Sequence, residues 1–214
     1  MAHYPDGHLG HISDIERAAQ EERDPHRRAM LWNYLHHAAL EVSGDWEAIF
    51  DPELIVDDPQ YEMRLGTEAP IVLDGTEEVK AFYEAGEEDV FLLSDEDGHQ
   101  LFVNDWGIAD LATYVEFLRG ETLIADGLDE PYYGDAEVDD PDAMYQRTCR
   151  QAMFWAYDDS ARLIGEQVYQ LEPFAVEQVD PDAVPTVDEI ASITEPYYPE
   201  NTDGPTPVRS DTNT

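Results

Sequence analysis

One carboxylate of the sequence follows an apolar stretch that alternates like a strand. Leu54, Val56 and Asp58 occupy alternate positions, so in a regular strand their side chains point to one face. If that face covers the core, the Asp58 carboxylate enters an apolar environment, which raises its pKa and suits it to act as a general base. The alternative is that Asp57, Asp58 and Pro59 form only an acidic turn at the end of a strand.

A histidine and a tyrosine on a predicted helix could supply the complementary acid. The apolar side chains that recur there at helical spacing are Leu31, Tyr34, Leu35, Ala38 and Val42. His37 lies at the edge of this stripe. Either the His37 imidazole or the Tyr34 hydroxyl could polarise a carbonyl group opposite a base, or orient a water molecule. The alternative is a histidine that bonds a backbone carbonyl and a tyrosine that only fills the core.

Two predicted strands carry candidate ligand-pocket residues. Gln151, Met153 and Trp155 alternate on one of them, and Tyr114 and Glu116 on the other. If these faces point inward, Met153 and Trp155 form an apolar floor, and Gln151, Tyr114 and Glu116 provide polar groups. The alternative is that the aromatic and methionine side chains are plain core, which we favour for Trp155.

The elements that would position these residues begin with helices. Ser13, with Glu16 three residues later, predicts the start of a short polar helix that ends near Arg23. Asp24 caps a second helix that starts at Pro25 and runs to about Val42. A brief helix is expected over Trp46–Phe50 and a third helix over about Thr76–Tyr83.

Most of the remaining chain has strand patterns separated by turn residues. The predicted strands are Leu54–Asp58, Val90–Leu93, Gln100–Val103, Thr113–Arg119, Glu121–Ala125, Thr148–Tyr157 and Leu163–Leu171. Helices followed by an antiparallel sheet predict the α+β class, with the helices on one face of the sheet.

Composition divides the chain into three parts. Residues 1–23 form an N-terminal arm, residues 24–171 a domain, and residues 172–214 an acidic, proline-rich tail. The acidic stretch Asp126–Asp142 reads as a long inserted loop. Within the tail, a short helix is expected near Val187–Ile193, and disorder from Asn201 onward.

The charge is extreme. The chain has 50 Asp and Glu residues against 11 Lys and Arg residues, which gives a formal net charge of −39, and Lys80 is its one lysine. Nucleic acid and anionic membranes are therefore excluded as direct partners, because both bind clustered cations. Such a surface repels itself unless salt screens it, so the sequence resembles proteins of extreme halophiles and predicts a salt-rich cytoplasm. No secretory signal is recognised at the start of the sequence.

Motifs for metal or cofactor chemistry fail on inspection. Asp95–Gly98 resembles a calcium loop but lacks an acidic first ligand and a closing glutamate, so a hairpin turn is expected. His3, His8 and His11 could bind a metal loosely, but they are expected in a mobile arm without carboxylates at the spacing of a metal site, and Cys149 is the one cysteine. No phosphate-binding loop, zinc-protease helix or nucleophile elbow is present. We expect neither a metal nor a cofactor.

Several segments, in this order, resemble the SnoaL-like branch of the nuclear transport factor 2-like superfamily, over roughly residues 24–171. The segments are Gly44–Ile49, Val56–Pro59, Asp74–Tyr83, Phe154–Asp159, Arg162–Ile164 and Gln167–Tyr169. The resemblance implies a curved sheet wrapped on a helix around a mostly apolar pocket. It covers enzymes such as ketosteroid isomerase and polyketide cyclases as well as non-catalytic binding domains, so fold does not settle function.

The resemblance also implies roles for individual residues. Asp58 matches the position of the isomerase's base, and His37 that of its oxyanion-hole tyrosine, with Tyr34 one turn earlier as a substitute. Met153 stands where the isomerase has a second carboxylic acid, which makes steroid isomerisation doubtful because methionine cannot donate a hydrogen bond.

Two functions stay open at this point. One is acid–base chemistry without a cofactor, of the isomerase, cyclase, dehydratase or hydrolase type, on a small apolar or carbonyl-bearing metabolite. The other is a ligand-binding or protein-interaction module of the same fold. In either case the resemblance implies a homodimer formed through the outer sheet face, where Phe154 and Val115 are expected.

Overall fold

A computed structural model of the chain describes residues 4–65, 69–86, 90–95, 97–125 and 137–202. His3, most of the loop expected over Asp126–Asp142 and residues 203–214 of the expected tail lie outside the described residues, and so does the His8 side chain. Within the described part, no helix is both long enough and apolar enough to span a bilayer.

Two long helices precede the sheet. α2 (Pro25–Val42) has the predicted bounds, and the Asp24 carboxylate accepts hydrogen bonds from the backbone N–H groups of His26 and Arg27. α1 (Tyr4–Glu21) begins nine residues before the predicted start at Ser13. Ile12, Ile15 and Ala19 of α1 are fully buried against the core. Packing therefore extends α1 through glycines that would weaken it in isolation.

Seven strands form one curved, open sheet on which the helices lie. They are β1 (Ile55–Arg64), β2 (Ile71–Asp74), β3 (Val90–Ser94), β4 (Gln100–Asn104), β5 (Gly107–Arg119), β6 (Met144–Tyr157) and β7 (Leu163–Val179). The order is β2-β1-β7-β6-β5-β3, and β4 also pairs with β5. The α+β prediction is confirmed, but the sheet is mixed, because β1 and β7 run parallel.

Two local predictions are wrong. β3 and β4 do not form a hairpin; they lie one after the other along β5, which pairs with both. The segment Glu121–Ala125 is part of a short helix, α4 (Gly120–Ala125), and not a strand, and Leu123 of α4 is fully buried. α3 (Thr76–Ala85) and a 3₁₀ turn at Trp46–Phe50 occupy the expected places.

Strand β1 continues through Pro59, where the sequence predicted its end. Its register with β7 shifts between Ile55 and Gln60, so the proline lies at an irregularity that needs no donor from it. Beyond that point Tyr61 and Met63 are the buried side chains. Ile55 and Pro59 are buried too, so the same alternate set of β1 faces the core on both sides of the shift.

The C-terminal segment packs against the domain. β7 runs to Val179, so the boundary expected at Leu171 falls inside a strand. A fifth helix, α5 (Val187–Thr194), begins with a capping box formed by Thr186 and Glu189. Ile190 of α5 is buried against Val42 of α2 and Leu92 of β3.

We expect Ile190→Ala to lower the free energy of unfolding by about 2–4 kcal/mol, because it leaves a cavity in a buried contact. Chemical denaturation in high salt measures the change. Ser192→Ala, on the exposed side of the same helix, serves as the control and should change stability far less. Equal effects of the two substitutions would mean that α5 contributes little to the folded domain.

Candidate functional site

A cavity of about 360 Å³ lies between the inner face of the sheet, the C-terminal end of α2 and helix α3. Its lining residues are Glu41, Val42, Gly44, Trp46, Met63, Leu65, Phe82, Tyr83, Ala85, Gly86, Phe91, Leu93, Tyr114, Glu116, Arg147, Gln151, Met153, Trp155, Glu166, Val168, Gln170 and Val187. Its size falls within the range of small-molecule pockets, and most of its wall is apolar or aromatic.

All five of the candidate ligand-pocket residues line this cavity. Met153 and Trp155 belong to its apolar wall, and the Gln151 side chain approaches the Met153 sulfur at 3.4 Å. Tyr114 and Glu116 contribute from β5, where the Arg147 guanidinium of the neighbouring strand pairs with the Glu116 carboxylate. Alternation within each strand and the pairing of β5 with β6 bring these side chains to one face of the sheet.

Asp58 lies outside the cavity. Its side chain is exposed and is not part of the cavity wall. A Cβ atom placed on Gly75 would lie 3.7 Å from Asp58 Oδ1, so the carboxylate stands against the turn that starts α3. The expectation that Asp58 shares a core-facing side with Leu54 and Val56 is wrong, because the buried residues of β1 are Ile55, Pro59, Tyr61 and Met63, and Asp58 alternates with them.

His37 is buried behind the cavity wall. Its Nε2 atom lies 3.2 Å from the Tyr83 hydroxyl, and its ring meets the Trp155 ring edge-on at 4.6 Å. Burial lowers the pKa of His37 to about 3, so the imidazole is neutral. His37 does not line the cavity, and its hydrogen-bond contact with a lining residue is the one to Tyr83.

Tyr34 lies away from the cavity, next to Asp110 of β5. Its hydroxyl donates to the Asp110 carboxylate of β5, and its ring packs against Trp155 at 4.8 Å. Neither Tyr34 nor Asp110 lines the cavity. The structure thus places His37 behind the cavity wall, in contact with the lining residues Tyr83 and Trp155, and separates both Tyr34 and Asp58 from the cavity.

Two glutamates of the cavity wall were not singled out from the sequence. Burial raises the pKa of Glu41 from 4.5 to about 7, against the lowering effect of the Tyr83 hydroxyl. Burial raises the pKa of Glu166 as well, and the charge of Glu41 raises it further. The two carboxyl groups therefore compete for ionisation, and near neutral pH the pair retains protons that ordinary glutamates have lost.

The sheet register places Glu166. On one side it lies opposite Tyr61 of β1, and on the other opposite Trp155 of β6. Trp155 Nε1 is buried, belongs to a cavity-lining residue and has no hydrogen-bond partner within the part of the chain that the structure describes. A donor that lacks a partner next to a cavity carboxyl group is available to a bound molecule or to water.

The sequence contained a pattern that places Glu41 beside the candidate residue His37. Glu41 follows His37 by four residues on α2, which places both on the same face of the helix. Glu166 carried no comparable signal, because its neighbours Tyr61 and Trp155 are brought beside it only by the pairing of β7 with β1 and β6.

Glu41→Gln is expected to stabilise the protein at pH 8 and to do so much less at pH 5. In the folded state the pKa of Glu41 is about 7, above its ordinary value of 4.5. The stability associated with the proton is present below pH 4.5 and is lost as the pH rises through 7. The neutral amide avoids that loss, so thermal midpoints in 2 M KCl should rise by several degrees at pH 8.

The control for this pH effect is Glu47→Gln on the exposed 3₁₀ turn, which should leave the difference between pH 5 and pH 8 unchanged. A Glu41→Gln variant destabilised equally at both pH values would contradict the raised pKa.

No protein-family model matches the sequence, and no curated protein matches it either. Among solved structures, the chain is similar to a protein from Xanthomonas campestris pv. campestris described as a polyketide cyclase, at 15% identity and a TM-score of 0.44, with 67% of this chain and 91% of that chain covered.

It is also similar to an NTF2-like protein with a cystatin-like fold from Novosphingobium aromaticivorans, at 16% identity and a TM-score of 0.37, covering 73% of this chain and 86% of that one. A third is a protein of Agrobacterium tumefaciens described as an isomerase of the SnoaL-like family, at 13% identity and a TM-score of 0.33, covering 78% and 99%. The helices and the curved sheet described above are those of this chain's own structure.

Proposed function

We propose that the chain is a cofactor-independent acid–base enzyme that acts on a small, uncharged, carbonyl-bearing metabolite in the described cavity. The observation that carries this proposal is the pair of cavity carboxyl groups, Glu41 and Glu166, whose pKa values are both raised. Carboxyl groups that lie in a cleft, have raised pKa values and affect each other's ionisation are typical of acid–base sites. This pair replaces Asp58 as the proton-transfer group.

Glu41 and Glu166 have different roles in the proposed proton transfer, one as the base and one as a hydrogen-bond donor. The ionised member removes a proton from the carbon next to the substrate carbonyl, and the protonated member or the Tyr83 hydroxyl donates a hydrogen bond to the oxygen that becomes negative. His37, 3.2 Å from the Tyr83 hydroxyl, is a positioning residue. Returning the proton to another atom gives isomerisation, and loss of a hydroxyl group gives dehydration.

The wall of the cavity favours uncharged molecules. Glu41 and Glu166 would repel an anion, and apolar side chains such as Phe82, Met63 and Leu93 provide no charged partner for one. The Arg147 guanidinium is paired with Glu116. The substrate class is therefore a small apolar molecule with a carbonyl group, of a size that fits about 360 Å³.

Solvent deuterium exchange tests the proposal. The protein is incubated in heavy water and 2 M KCl with a panel of uncharged cyclic and open-chain ketones and enones, and NMR follows loss of the proton next to the carbonyl. We expect exchange for at least one member and none with Glu166→Gln. Exchange that survives in that variant would contradict the assignment.

A specific observation favours the binding-module alternative: Asp58, at the position where the resemblance implies a base, lies outside the cavity. A module would bind members of the panel, as shown by a raised thermal midpoint, without any proton exchange. Binding with exchange supports the enzyme, and binding without exchange supports the module.

Assembly into a homodimer through the outer sheet face is part of the proposal. Phe154 and Phe102 remain 38% and 60% exposed, and both flank Ala109 in the register of that face. Val115, the other residue expected on that face, is buried within the chain and cannot contribute to a dimer interface.

We expect light scattering in 2 M KCl to give twice the single-chain mass of 24.3 kDa, and Phe154→Asp to give the single-chain mass. Val72→Asp, at another exposed apolar side chain, is the control and should leave the dimer intact. A concentration-independent single-chain mass for the unmodified protein would contradict the dimer.

A further inference from the structure

A cluster of two histidines and an aspartate lies away from the cavity, where α1 meets the sheet. His11 is on α1, His99 immediately precedes β4, and Asp110 is on β5. His11 Nε2 lies 3.2 Å from Asp110 Oδ2, and His99 Nε2 lies 3.0 Å from Asp110 Oδ1. The three side chains are almost completely buried.

Hydrogen bonds alone do not satisfy this cluster. His99 Nε2 and Asp110 Oδ1 are 3.0 Å apart, an ion-pair contact, but their geometry is not that of a directed hydrogen bond. A buried imidazole nitrogen and a carboxylate oxygen held this close without a directed hydrogen bond can share a cation as a third partner. One ligand atom from each of the three residues lies within 4.8 Å of the others.

Neighbouring side chains contact the cluster residues and fix their orientation, as the groups around metal ligands commonly do. His99 Nδ1 lies 3.2 Å from an Asp14 carboxylate oxygen, which fixes the tautomer that directs Nε2 toward Asp110. The Tyr34 hydroxyl donates to Asp110 Oδ2 and fixes the orientation of that carboxylate. A carboxylate behind a histidine and a hydrogen bond on a carboxylate are common features of metal ligands.

We propose that His11, His99 and Asp110 bind a divalent transition-metal ion such as Zn²⁺, which fastens α1 to the sheet. Imidazole and carboxylate ligands suit such ions, with bonds of about 2.0–2.2 Å. Ligand atoms around a tetrahedral ion of that bond length stand about 3.4 Å apart; the contacts of His11 and His99, each to a different Asp110 oxygen, are 3.2 and 3.0 Å, and all three ligand atoms lie within 4.8 Å. The buried position favours an ion that holds the fold together, with the second Asp110 oxygen or a water molecule as the fourth ligand.

The test uses the tag-free full chain in 2 M KCl. After treatment with a chelator and its removal, we expect one equivalent of Zn²⁺ to bind and to raise the thermal midpoint by about 5–10 °C at an excess over the dissociation constant. Co²⁺ in its place should give visible absorption bands of a low-symmetry site. This spectrum is recorded on the unmodified protein, so the measurement does not depend on whether a substituted variant folds.

Three variants identify the ligands. His99→Gln should lose the bound equivalent, the midpoint shift and the Co²⁺ bands. His36→Gln, which alters a buried histidine that meets Thr202 instead, should keep all three. The double substitution His3→Ala and His8→Ala should also keep them.

Two results would overturn the proposal. One is a chelated protein with no stoichiometric Zn²⁺ binding, no midpoint shift and no Co²⁺ bands, which would leave the cluster as a metal-free network. The other is metal binding that survives His99→Gln but disappears in the His3 and His8 double variant, which would move the ion to the N-terminal arm.

Discussion

Glu166→Gln is expected to lower the turnover number, for the ketone or enone identified by proton exchange, by about 10²–10⁴-fold with little change in KM. The amide preserves the shape of the side chain between Tyr61 and Trp155 but can neither accept the substrate proton nor share one with Glu41. Steady-state kinetics in 2 M KCl measure the change.

Because the charge of Glu41 affects the ionisation of Glu166, substitutions of the two residues should not have independent effects on turnover. If Glu41 and Glu166 work as a pair, Glu41→Gln should cost a similar factor, and the double variant should cost no more than the worse single one. The pH–rate profile of the unmodified enzyme should show two apparent pKa values that belong to the pair, and each single variant should lose one of them.

Asp58→Asn is the matched control, because it makes the same chemical change at an exposed carboxylate. It should retain full turnover. A fall of 10²–10⁴-fold in Asp58→Asn, with Glu166→Gln unaffected, would restore the base that the resemblance implies and would remove the glutamate pair from the mechanism.

The thermal midpoint is expected to rise steeply between about 0.1 M and 2 M KCl. With a formal charge of −39, the folded chain repels itself over a Debye length of about 10 Å at 0.1 M salt, and over only about 3 Å at 1 M. Differential scanning calorimetry at a series of KCl concentrations measures the rise. A flat or falling midpoint would contradict adaptation to a salt-rich cytoplasm.

Charge substitution separates screening from other salt effects. Glu77 and Glu84 lie on the exposed surface of α3, and replacing both with lysine reduces the net negative charge by four. The variant should melt higher at 0.1 M KCl and show a shallower rise, while the two proteins converge at 2 M. The substitutions Glu77→Gln and Glu84→Gln should give about half of that effect.

Some features of this protein follow from local sequence. Asp24 and Pro25 define the start of α2, because a side-chain cap and a fixed φ angle act within one helical turn. Strand alternation likewise brings Gln151, Met153 and Trp155 to one face. These are short-range rules, and a single regular element satisfies them.

Tertiary structure decided where the carboxylates lie. Asp58 was expected to face the core with Leu54 and Val56, but Ile55, Tyr61 and Met63 are the core-facing residues of β1, and facing the core with the other alternate set places Asp58 on the exposed side. α1 lengthened for a similar reason, because burial of Ile12 and Ile15 outweighs the poor helix propensity of its glycines.

The groups proposed to act are those that only long-range pairing could bring together. Glu166 acquires its environment from Tyr61 and Trp155, more than a hundred residues away on one side and eleven on the other. His11 and His99 meet at Asp110 because β4 follows β3 along β5 while α1 packs over them. Composition determined the charge and the salt dependence that we expect, because both depend on the number of charged residues. Packing and register determined which carboxyl groups lost water, because desolvation depends on neighbours that are distant in sequence.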